Sequence, residues 1–304
     1  PMGYMAGILN AFFAPMVSGT TIVEGPLFSP ETALRFWQRP LAEKVNVLSI
    51  TPTIASALCR LTRKKDVIEQ ITATMKQVQC TSAPLPKSLQ LQFQDKFKVA
   101  IQNCYGMTEI GGPLTFQTKD DALAGRDWSK PIDELLIDIR CEKEPGELWL
   151  KSPFMMRGYI ADDGSLYNPF DEEGFMNTED LAYSAEGKIQ LAGRKKDIII
   201  RGGLNISPGR LADLFSSLPF VADCAVLGME HEFWGEEIVT CIVLTEDFKE
   251  EEATPSLNKH SREHLGIHER PDRFEYFHSL PRTAIGKLRK GELRETLLKR
   301  QEKK

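Results

Sequence analysis

Three short apolar segments, separated by stretches of helical character, constrain the fold of this chain most strongly. Val45–Ile50, Val78–Thr81 and Val99–Cys104 each have the length and composition of a buried strand. A helical stretch runs from Pro52 to about Leu61, and a second opens at Pro84 and Pro86 and continues to Phe97, since proline is tolerated in a first turn. This order predicts a parallel βαβαβ sheet whose functional loops lie at the carboxyl ends of its strands.

The pattern of predicted strands and helices changes twice in the rest of the chain. From about Trp128 to Leu191, short strand-like runs separated by Gly, Asp and Pro turns predict a small β-barrel or sheet. Beyond Lys196, strands and helices alternate over about a hundred residues, an ordinary domain size. We therefore expect an α/β fold in three parts: a parallel βαβ subdomain at 1–127, a small β-rich subdomain at 128–193 and a separate C-terminal α+β domain at 194–304.

Composition is that of an ordinary globular protein. The chain is 41% hydrophobic and 27% charged, and a net charge of −5 argues against a nucleic-acid partner. The six cysteines form no Cys-x-x-Cys pair and most lie in apolar runs, which favours buried thiols in a reducing compartment, the cytoplasm. The longest apolar run, from Gly7 to Val17, contains Pro15 and is too short to be an integral membrane segment.

Four segments carry residues suited to chemistry at a phosphate or a carboxylate. They are Tyr105-Gly106-Met107-Thr108-Glu109, Asn177-Thr178-Glu179-Asp180, Gly193-Arg194-Lys195-Lys196-Asp197 followed by Gly202-Gly203, and Pro281-Arg282-Thr283-Ala284-Ile285-Gly286-Lys287. Proline fixes φ and glycine relaxes it, so the last segment can aim the side chain of Lys287 from a tight turn. Lysine is a compact positive charge suited to a carboxylate or phosphate. Each segment taken alone is also explained by an ordinary turn or loop.

In this order the four segments resemble the adenylate-forming superfamily, which includes acyl-CoA synthetases, luciferase-like enzymes and the adenylation domains of peptide synthetases. The resemblance extends from Pro1 to about Arg294. It implies ATP-dependent activation of a carboxylic acid, a small-molecule substrate, to acyl-AMP, followed by transfer of the acyl group to the thiol of CoA. It therefore implies ATP, magnesium and CoA as cofactors, as in fatty acid metabolism, and leaves the acid and its chain length open.

The resemblance also implies roles in nucleotide binding. Tyr105 would stack on adenine, and Gly106 would let the backbone approach the ligand. Asp180 would accept hydrogen bonds from both ribose hydroxyls, and Arg194 would lie near the ribose and phosphates. The edge of the adenine would be lined by Ser82, Ala83 and Pro84.

Three residues are implied in catalysis. Thr108 would meet the α-phosphate, and Glu109 would help to hold magnesium, because a hard cation prefers oxygen ligands. Lys287 would stabilise the carboxylate and the α-phosphate during acyl-AMP formation.

The second half-reaction is implied to use another pose of the C-terminal domain. Lys196 aligns with the hinge about which that domain turns. Gly202 and Gly203 belong to the loop that approaches pantetheine, where paired glycines permit close contact. The acyl pocket is implied to be bordered by Tyr4, Asn103, Cys104, Gly111 and Gly112, the last two of which would leave space.

The chain departs from the family pattern in two ways. Glu179 replaces a glycine and adds charge beside Asp180, while Phe175 replaces a tryptophan. The family's Ser/Thr-Gly-rich phosphate loop, which ends in Gly-x-Pro-Lys, does not occur in the sequence; Ser18-Gly19-Thr20-Thr21 lacks the Pro-Lys and is interpreted as a turn at a strand. We therefore expect a large domain that is incomplete at its N-terminus and an isolated chain that is inactive.

Two alternatives remain open. The acyl acceptor could be the phosphopantetheine of an acyl carrier protein, or the protein could be a catalytically inactive nucleotide-binding remnant.

Two further motifs are given structural interpretations. Glu232-Phe233-Trp234-Gly235-Glu236 is interpreted as a turn between two strands. His260 and His264 could share a helical face, but a pair without a third ligand is weak evidence for a metal, so surface histidines are favoured.

Overall fold

A computed structural model describes residues 5–141, 144–283 and 287–301 of the chain. The chain falls into two compact units. The first comprises Pro1–Arg140, Leu148–Thr178 and Ser184–Gln190; the second comprises Cys141–Glu147, Glu179–Tyr183 and Leu191–Lys304. The division into three parts at 127 and 193 stays a prediction.

Most of the regular structure expected up to residue 194 is present. The helices are α1 (Met5–Ile8), α2 (Ala14–Ser18), α3 (Pro30–Ala33), α4 (Gln38–Ala42), α5 (Pro52–Leu61), α6 (Lys65–Thr74), α7 (Lys87–Phe97) and α8 (Lys119–Leu123). A wider helical turn, Leu9–Phe13, joins α1 to α2. The strands are β1 (Val47–Ile50), β2 (Gln77–Cys80), β3 (Ile101–Met107), β4 (Gly112–Gln117), β5 (Ser129–Pro131), β6 (Leu136–Arg140), β7 (Gly146–Lys151), β8 (Tyr159–Ile160), β9 (Leu166–Tyr167), β10 (Met176–Ala185) and β11 (Lys188–Arg194).

The first three strands are parallel, as the sequence predicts. Val47 pairs with Gln77, and Val78 pairs with Ile101. The helix α5 begins where expected because the Thr51 side chain accepts a hydrogen bond from the Ile54 N–H. These elements enclose one core, whose larger members are Trp37, Leu58, Ile71, Phe93, Phe97 and Ile101.

The parallel strands continue into a nine-stranded sheet of order β1-β2-β3-β4-β5-β11-β10-β7-β6. From β3 to β5, and from β5 to β11, the neighbours are antiparallel. In β10 alternate residues are buried, which places Thr178 and Asp180 on the buried face and Glu179 on the exposed one. Separately, β8 and β9 form a two-stranded ribbon. The expected α/β fold class is confirmed.

The rest of the second unit is an α+β arrangement. Its strands are β12 (Ile199–Arg201), β13 (Leu204–Ile206), β14 (Val221–His231), β15 (Gly235–Leu244) and β16 (Arg273–Tyr276), and its helices are α9 (Pro208–Ser216), α10 (Glu250–His264) and α11 (Lys290–Gln301). They form a sheet of order β13-β12-β15-β14, with β16 parallel to β15. Glu232-Phe233-Trp234-Gly235-Glu236 lies at the turn from β14 to β15, as predicted.

Alternate residues of β14 pack into two separate cores. Cys224 and Val226 face one core, which α9 and α10 cover with Leu211, Phe215, Ala253 and Leu257. Ala225 and Leu227 face the other, which α11 covers with Leu293 and Leu297. This sheet is therefore packed with helices on both of its faces.

Three expectations are corrected or qualified. Ser18-Gly19-Thr20-Thr21 is not a turn at a strand: Ser18 ends α2, and Gly19 caps it with φ of 65° and an N–H bonded to the Pro15 carbonyl. Cys141 is exposed, whereas the other five cysteines are buried. Among the described residues, no helix has the length and apolar character needed to cross a bilayer.

Candidate functional site

Two of the predicted nucleotide-binding segments follow neighbouring parallel strands. Ser82, Ala83 and Pro84 come after β2, while Tyr105 lies near the end of β3. Cys80 and Asn103 pair across these strands, so both segments lie at the same edge of the sheet. Ser82 has φ of 77°, an uncommon value for a residue other than glycine, so the chain turns sharply there.

Gly106 is required by the packing of two strands. The register of β3 against β4 shifts between Tyr105 and Gly106. A Cβ atom at Gly106 would lie 2.5 Å from the Gly112 carbonyl oxygen and 2.8 Å from the Pro113 Cα. The glycine therefore lets the β4 backbone approach β3 closely, and this holds whether or not a ligand is bound.

Thr108 and Glu109 lie on a single turn of 3₁₀ helix, Thr108–Ile110, that Gly111 ends with φ of 75°. The hydroxyl of Tyr159 donates a hydrogen bond to Glu109 Oε1 at 3.1 Å, and the Glu109 carbonyl accepts one from the Met156 N–H at 2.7 Å. The half-buried Glu109 carboxylate is thus held next to the exposed Thr108. A carboxylate beside a hydroxyl fits magnesium, which protein sites bind through one or two carboxylates and substrate phosphates.

Asn103 and Cys104, assigned to the acyl pocket, lie on β3 in a largely buried setting. The Asn103 N–H donates to Gln117 Oε1 at 2.9 Å, and its Nδ2 lies 3.4 Å from Asp127 Oδ1. Burial raises the pKa of Asp127 above its ordinary value. Burial also raises the pKa of Cys104 to about 11, so its thiol stays protonated at neutral pH and fills space rather than reacting.

The remaining acyl-pocket residues differ in what surrounds them. At Gly111 a Cβ atom would meet just the Phe154 carbonyl oxygen at 3.8 Å, so space is present there. At Gly112 it would lie 2.7 Å from Leu9 Cδ1, so Leu9 fills the space that this glycine leaves. Tyr4 lies outside the described residues.

Asp180 and Arg194, assigned to the ribose and phosphates, lie within one ion pair. Asp180 is 8% exposed, and its Oδ1 lies 3.2 Å from Arg194 Nε. Strand alternation in β10 directs Asp180 to the buried face, and Arg194 ends β11. A charge-assisted contact of this kind holds the carboxylate in one orientation.

The two lysines after Arg194 are also paired with acidic residues. Lys195 Nζ lies 2.5 Å from Glu147 Oε1, and Lys196 Nζ lies 3.1 Å from Glu179 Oε2. Glu179 has φ of 60°, a left-handed conformation that suits the glycine of the family pattern better than a glutamate. The predicted hinge segment is thus tied to β10 by Glu179, a residue that departs from the family pattern.

Gly202 and Gly203 form the turn of the hairpin that joins β12 to β13. Their φ values are 55° and 79°, the pair of left-handed conformations that a two-residue hairpin turn requires. The Gly202 N–H donates to the Trp234 carbonyl at 2.9 Å, and a Cβ atom there would lie 3.3 Å from the indole. Both glycines therefore adopt conformations that other residues rarely reach.

Lys287 is exposed, and backbone hydrogen bonds pair the segments on either side of residues 284–286. The Thr283 N–H donates to the Lys287 carbonyl at 2.8 Å, and the Arg289 N–H donates to the Pro281 carbonyl at 2.9 Å. Arg282 is bonded through two nitrogens to the Asp223 carboxylate on β14, at 2.7 and 3.1 Å. The flanking segments are therefore attached to β14. Residues 284–286 lie outside the described part, so the tight turn expected there stays a prediction.

Sequence reasoning missed several partners of these residues. Tyr159 holds Glu109 from 50 positions away, and Glu147 pairs with Lys195 from 48 positions away. Asp223 anchors the Lys287 turn from β14. Each comes from a distant element, so local spacing carries no signal for it.

Comparison with known proteins extends the resemblance. A family model described as "AMP-binding enzyme" matches residues 1–160, and one described as "AMP-binding enzyme C-terminal domain" matches residues 212–287. The chain is 27% identical to a sulfoacetate–CoA ligase of Cupriavidus necator over 96% of this chain and 57% of that protein. It is 27% identical to a medium-chain fatty-acid–CoA ligase of Escherichia coli over 99% of this chain and 53% of that protein.

A solved structure of a related enzyme has a similar fold. An o-succinylbenzoate coenzyme A synthetase of Bacillus subtilis, in complex with ATP and magnesium, matches with a TM-score of 0.78 and 25% identity over 96% of this chain and 60% of that one. The chain thus spans little more than half the length of the relatives that it matches. Since the first family model covers more than half of its residues, the chain belongs to the AMP-binding enzyme family.

Proposed function

We propose that the protein to which this chain belongs is an AMP-forming acid–thiol ligase. The carboxylate of the acid attacks the α-phosphorus of ATP, which forms acyl-AMP and releases pyrophosphate. The thiolate of CoA then attacks the acyl carbon, which forms the thioester and releases AMP. Family membership and relatives that are CoA ligases support this reaction type.

The observation that carries the proposal is the pairing of Asp180 with Arg194. The two residues are assigned to the same nucleotide from separate motifs, and Asp180 Oδ1 lies 3.2 Å from Arg194 Nε. A buried carboxylate with two oxygens can accept hydrogen bonds from two vicinal hydroxyls, while the guanidinium can bind phosphate oxygens. This arrangement suits recognition of a nucleotide better than that of the acid alone.

The catalytic roles follow from chemistry and position. Tyr105 offers a ring for stacking, and Thr108 offers a hydroxyl to the α-phosphate. Glu109, oriented by Tyr159, would hold magnesium, which neutralises phosphate charge when it is bound. Lys287, on a turn clamped by Arg282 and Asp223, would place its ammonium where negative charge develops during acyl-AMP formation.

For the second half-reaction, CoA is the proposed acceptor. Gly202 and Gly203 would admit pantetheine after rotation about Lys196. The alternative acceptor, a phosphopantetheine carrier protein, is distinguished by comparing turnover with free CoA and with a holo carrier protein. We also propose a cytoplasmic location, on the basis of the free cysteines.

A second candidate function is nucleotide binding without catalysis. The observation that favours it is Glu179, which occupies a left-handed conformation, adds charge beside Asp180 and ties down Lys196. The sequence also contains no Gly-rich segment ending in Gly-x-Pro-Lys to cradle the β- and γ-phosphates. For the 304-residue chain by itself, we propose weak nucleotide binding and little activity.

The test is a panel of carboxylic acids incubated with magnesium-ATP, with and without CoA, using the longest natural protein that contains this sequence. Acid-dependent pyrophosphate release without CoA, and AMP release with CoA, would support the ligase. If no acid in a panel spanning short, medium, long and aromatic acids releases pyrophosphate while AMP still binds, the non-catalytic candidate is favoured.

A further inference from the structure

The last turn of α10 brings together three residues that bind transition metals. His260, Glu263 and His264 are spaced i, i+3 and i+4, which places them on one helical face. Their potential ligand atoms all lie within 4.8 Å of one another, and the two imidazole centroids are 4.2 Å apart. Two ligands of one tetrahedral zinc ion are about 3.3 Å apart. Modest side-chain rotations would therefore close the set around an ion.

The surroundings of each imidazole leave one ring nitrogen available to a metal ion. His264 Nδ1 lies 3.0 Å from the His260 carbonyl oxygen, so this nitrogen carries the proton and the His264 Nε2 keeps its lone pair. Within residues 5–141, 144–283 and 287–301, His260 Nε2 is buried without a hydrogen-bond partner. Leaving a buried ring nitrogen unpaired is costly, and a metal ion would satisfy it.

Glu263 supplies a negative charge, and its competing partner, Lys259 at 3.9 Å, is an exposed residue of the same helix. Such exposed pairs contribute little to stability and are easily exchanged. The site also lies at the C-terminus of α10, where the helix dipole favours a cation.

We propose that His260, Glu263 and His264 form a binding site for one Zn²⁺ ion on the second unit. Two imidazoles and a carboxylate are the donors that zinc prefers, and three protein ligands leave a fourth position for water. Copper and nickel accept the same nitrogen ligands, and copper binds such sites more tightly. This proposal does not depend on the ligase activity.

Calorimetric titration of the chelator-treated 304-residue chain with ZnCl₂ at pH 7.5 tests the site directly. One saturable ion per chain is expected, with a rise in Tm as zinc is added. His264→Ala should weaken the Kd at least tenfold, since it removes one of three ligands from an exposed position and should leave the fold intact. Glu263→Gln should weaken it less, because the charge is lost but an oxygen remains.

His278→Ala is the matched control, because His278 is an exposed histidine of the same unit outside the cluster. It should bind zinc as the wild type does, and circular dichroism should show all variants folded. At pH 5.5 the wild-type affinity should fall, since protonated imidazoles cannot bind the ion. Absence of saturable binding, or His264→Ala binding like the wild type, or equal loss in His278→Ala, would overturn the proposal.

Discussion

Replacement of Gln117 by leucine should destabilise the first unit and disturb the strand that carries Tyr105. Gln117 is completely buried. Its Oε1 accepts hydrogen bonds from Gln90 Nε2 at 2.7 Å and from the Asn103 N–H at 2.9 Å, and its Nε2 donates to the Arg126 carbonyl at 2.6 Å. One side chain thus links α7, β3 and the segment after α8.

The expected loss of stability follows from the groups that lose Gln117 as a hydrogen-bond partner. The Asn103 N–H and the Arg126 carbonyl would each lose a bond in a site that leucine keeps dry, at a cost of about 1–3 kcal/mol each. Gln90 is less affected, because its Nε2 also donates to the Ile101 carbonyl. Burial of the leucine would return about 1–2 kcal/mol. A net loss of about 2–3 kcal/mol in the free energy of unfolding is therefore expected.

Two measurements check this expectation. Urea unfolding gives the stability change, and because the chain has two units, the transition of the first unit must be followed separately. Hydrogen exchange of the Asn103 amide reports the lost bond directly and should accelerate. The control is Gln92→Leu, an exposed glutamine of α7, which should change stability by less than about 0.5 kcal/mol. Wild-type stability together with unchanged Asn103 protection in Gln117→Leu would refute the reasoning.

Three other substitutions address charge and catalysis. Hydrogen bonds from Lys188, Arg126 and Thr118 hold the pKa of Asp121 well below its ordinary value, so the contribution of Asp121 to stability is present above about pH 4 and is lost as the pH falls. Asp121→Asn should therefore lower the free energy of unfolding by about 2 kcal/mol at pH 7 and flatten the dependence of stability on acid pH. An acid-unfolding curve unchanged from that of the wild type would contradict this. If the longest natural protein that contains this sequence is the proposed ligase, Lys287→Ala should slow acyl-AMP formation roughly 100- to 1000-fold but spare thioester formation from supplied acyl-AMP; equal losses would contradict the two-pose assignment. Lys196→Pro should impair CoA consumption more than pyrophosphate exchange, because proline fixes φ at the predicted hinge. Glu179→Gln, which breaks the same ion pair without restricting the backbone, is its control, and equal losses in both steps for Lys196→Pro would make Lys196 structural.

Much of the first unit could be predicted from the sequence, because its parallel strands are short apolar runs and the helices α5 and α7 begin beside prolines. The helix α6 was missed because it buries just Ile71 completely, so its apolar periodicity is weak. The strand β10 was missed for a different reason. Its buried positions include Thr178 and Asp180, so the alternation that marks a strand is hidden by polar residues.

The polar residues that hide the strand pattern of β10 also bear on function. A carboxylate on the buried face of a strand is costly unless it is paired or binds a ligand. Asp180 is paired with Arg194 and is also the residue that motif reasoning assigns to the ribose. The position at which the strand pattern fails is therefore the position expected to bind the nucleotide.

The partners of the candidate residues lay beyond sequence reasoning. Tyr159, which orients Glu109, belongs to the two-stranded ribbon. Asp223, which anchors the Lys287 turn, belongs to β14. Glu263 adds the third ligand to the proposed zinc site, and the spacing of two histidines alone is weak evidence for a metal.

The central proposal is that this chain binds the adenosine part of a nucleotide with Asp180 at the ribose, while its sequence contains no Gly-rich segment ending in Gly-x-Pro-Lys to cradle the β- and γ-phosphates. Calorimetric titration of the 304-residue chain with AMP and with magnesium-ATP tests it most directly, alongside Asp180→Asn. We expect weak binding of both ligands with similar affinity, and a loss of roughly 10- to 150-fold in the variant, as for a hydrogen bond to a charged group. No AMP binding, wild-type affinity in Asp180→Asn, or a large preference for ATP with acid-dependent pyrophosphate release would contradict the account.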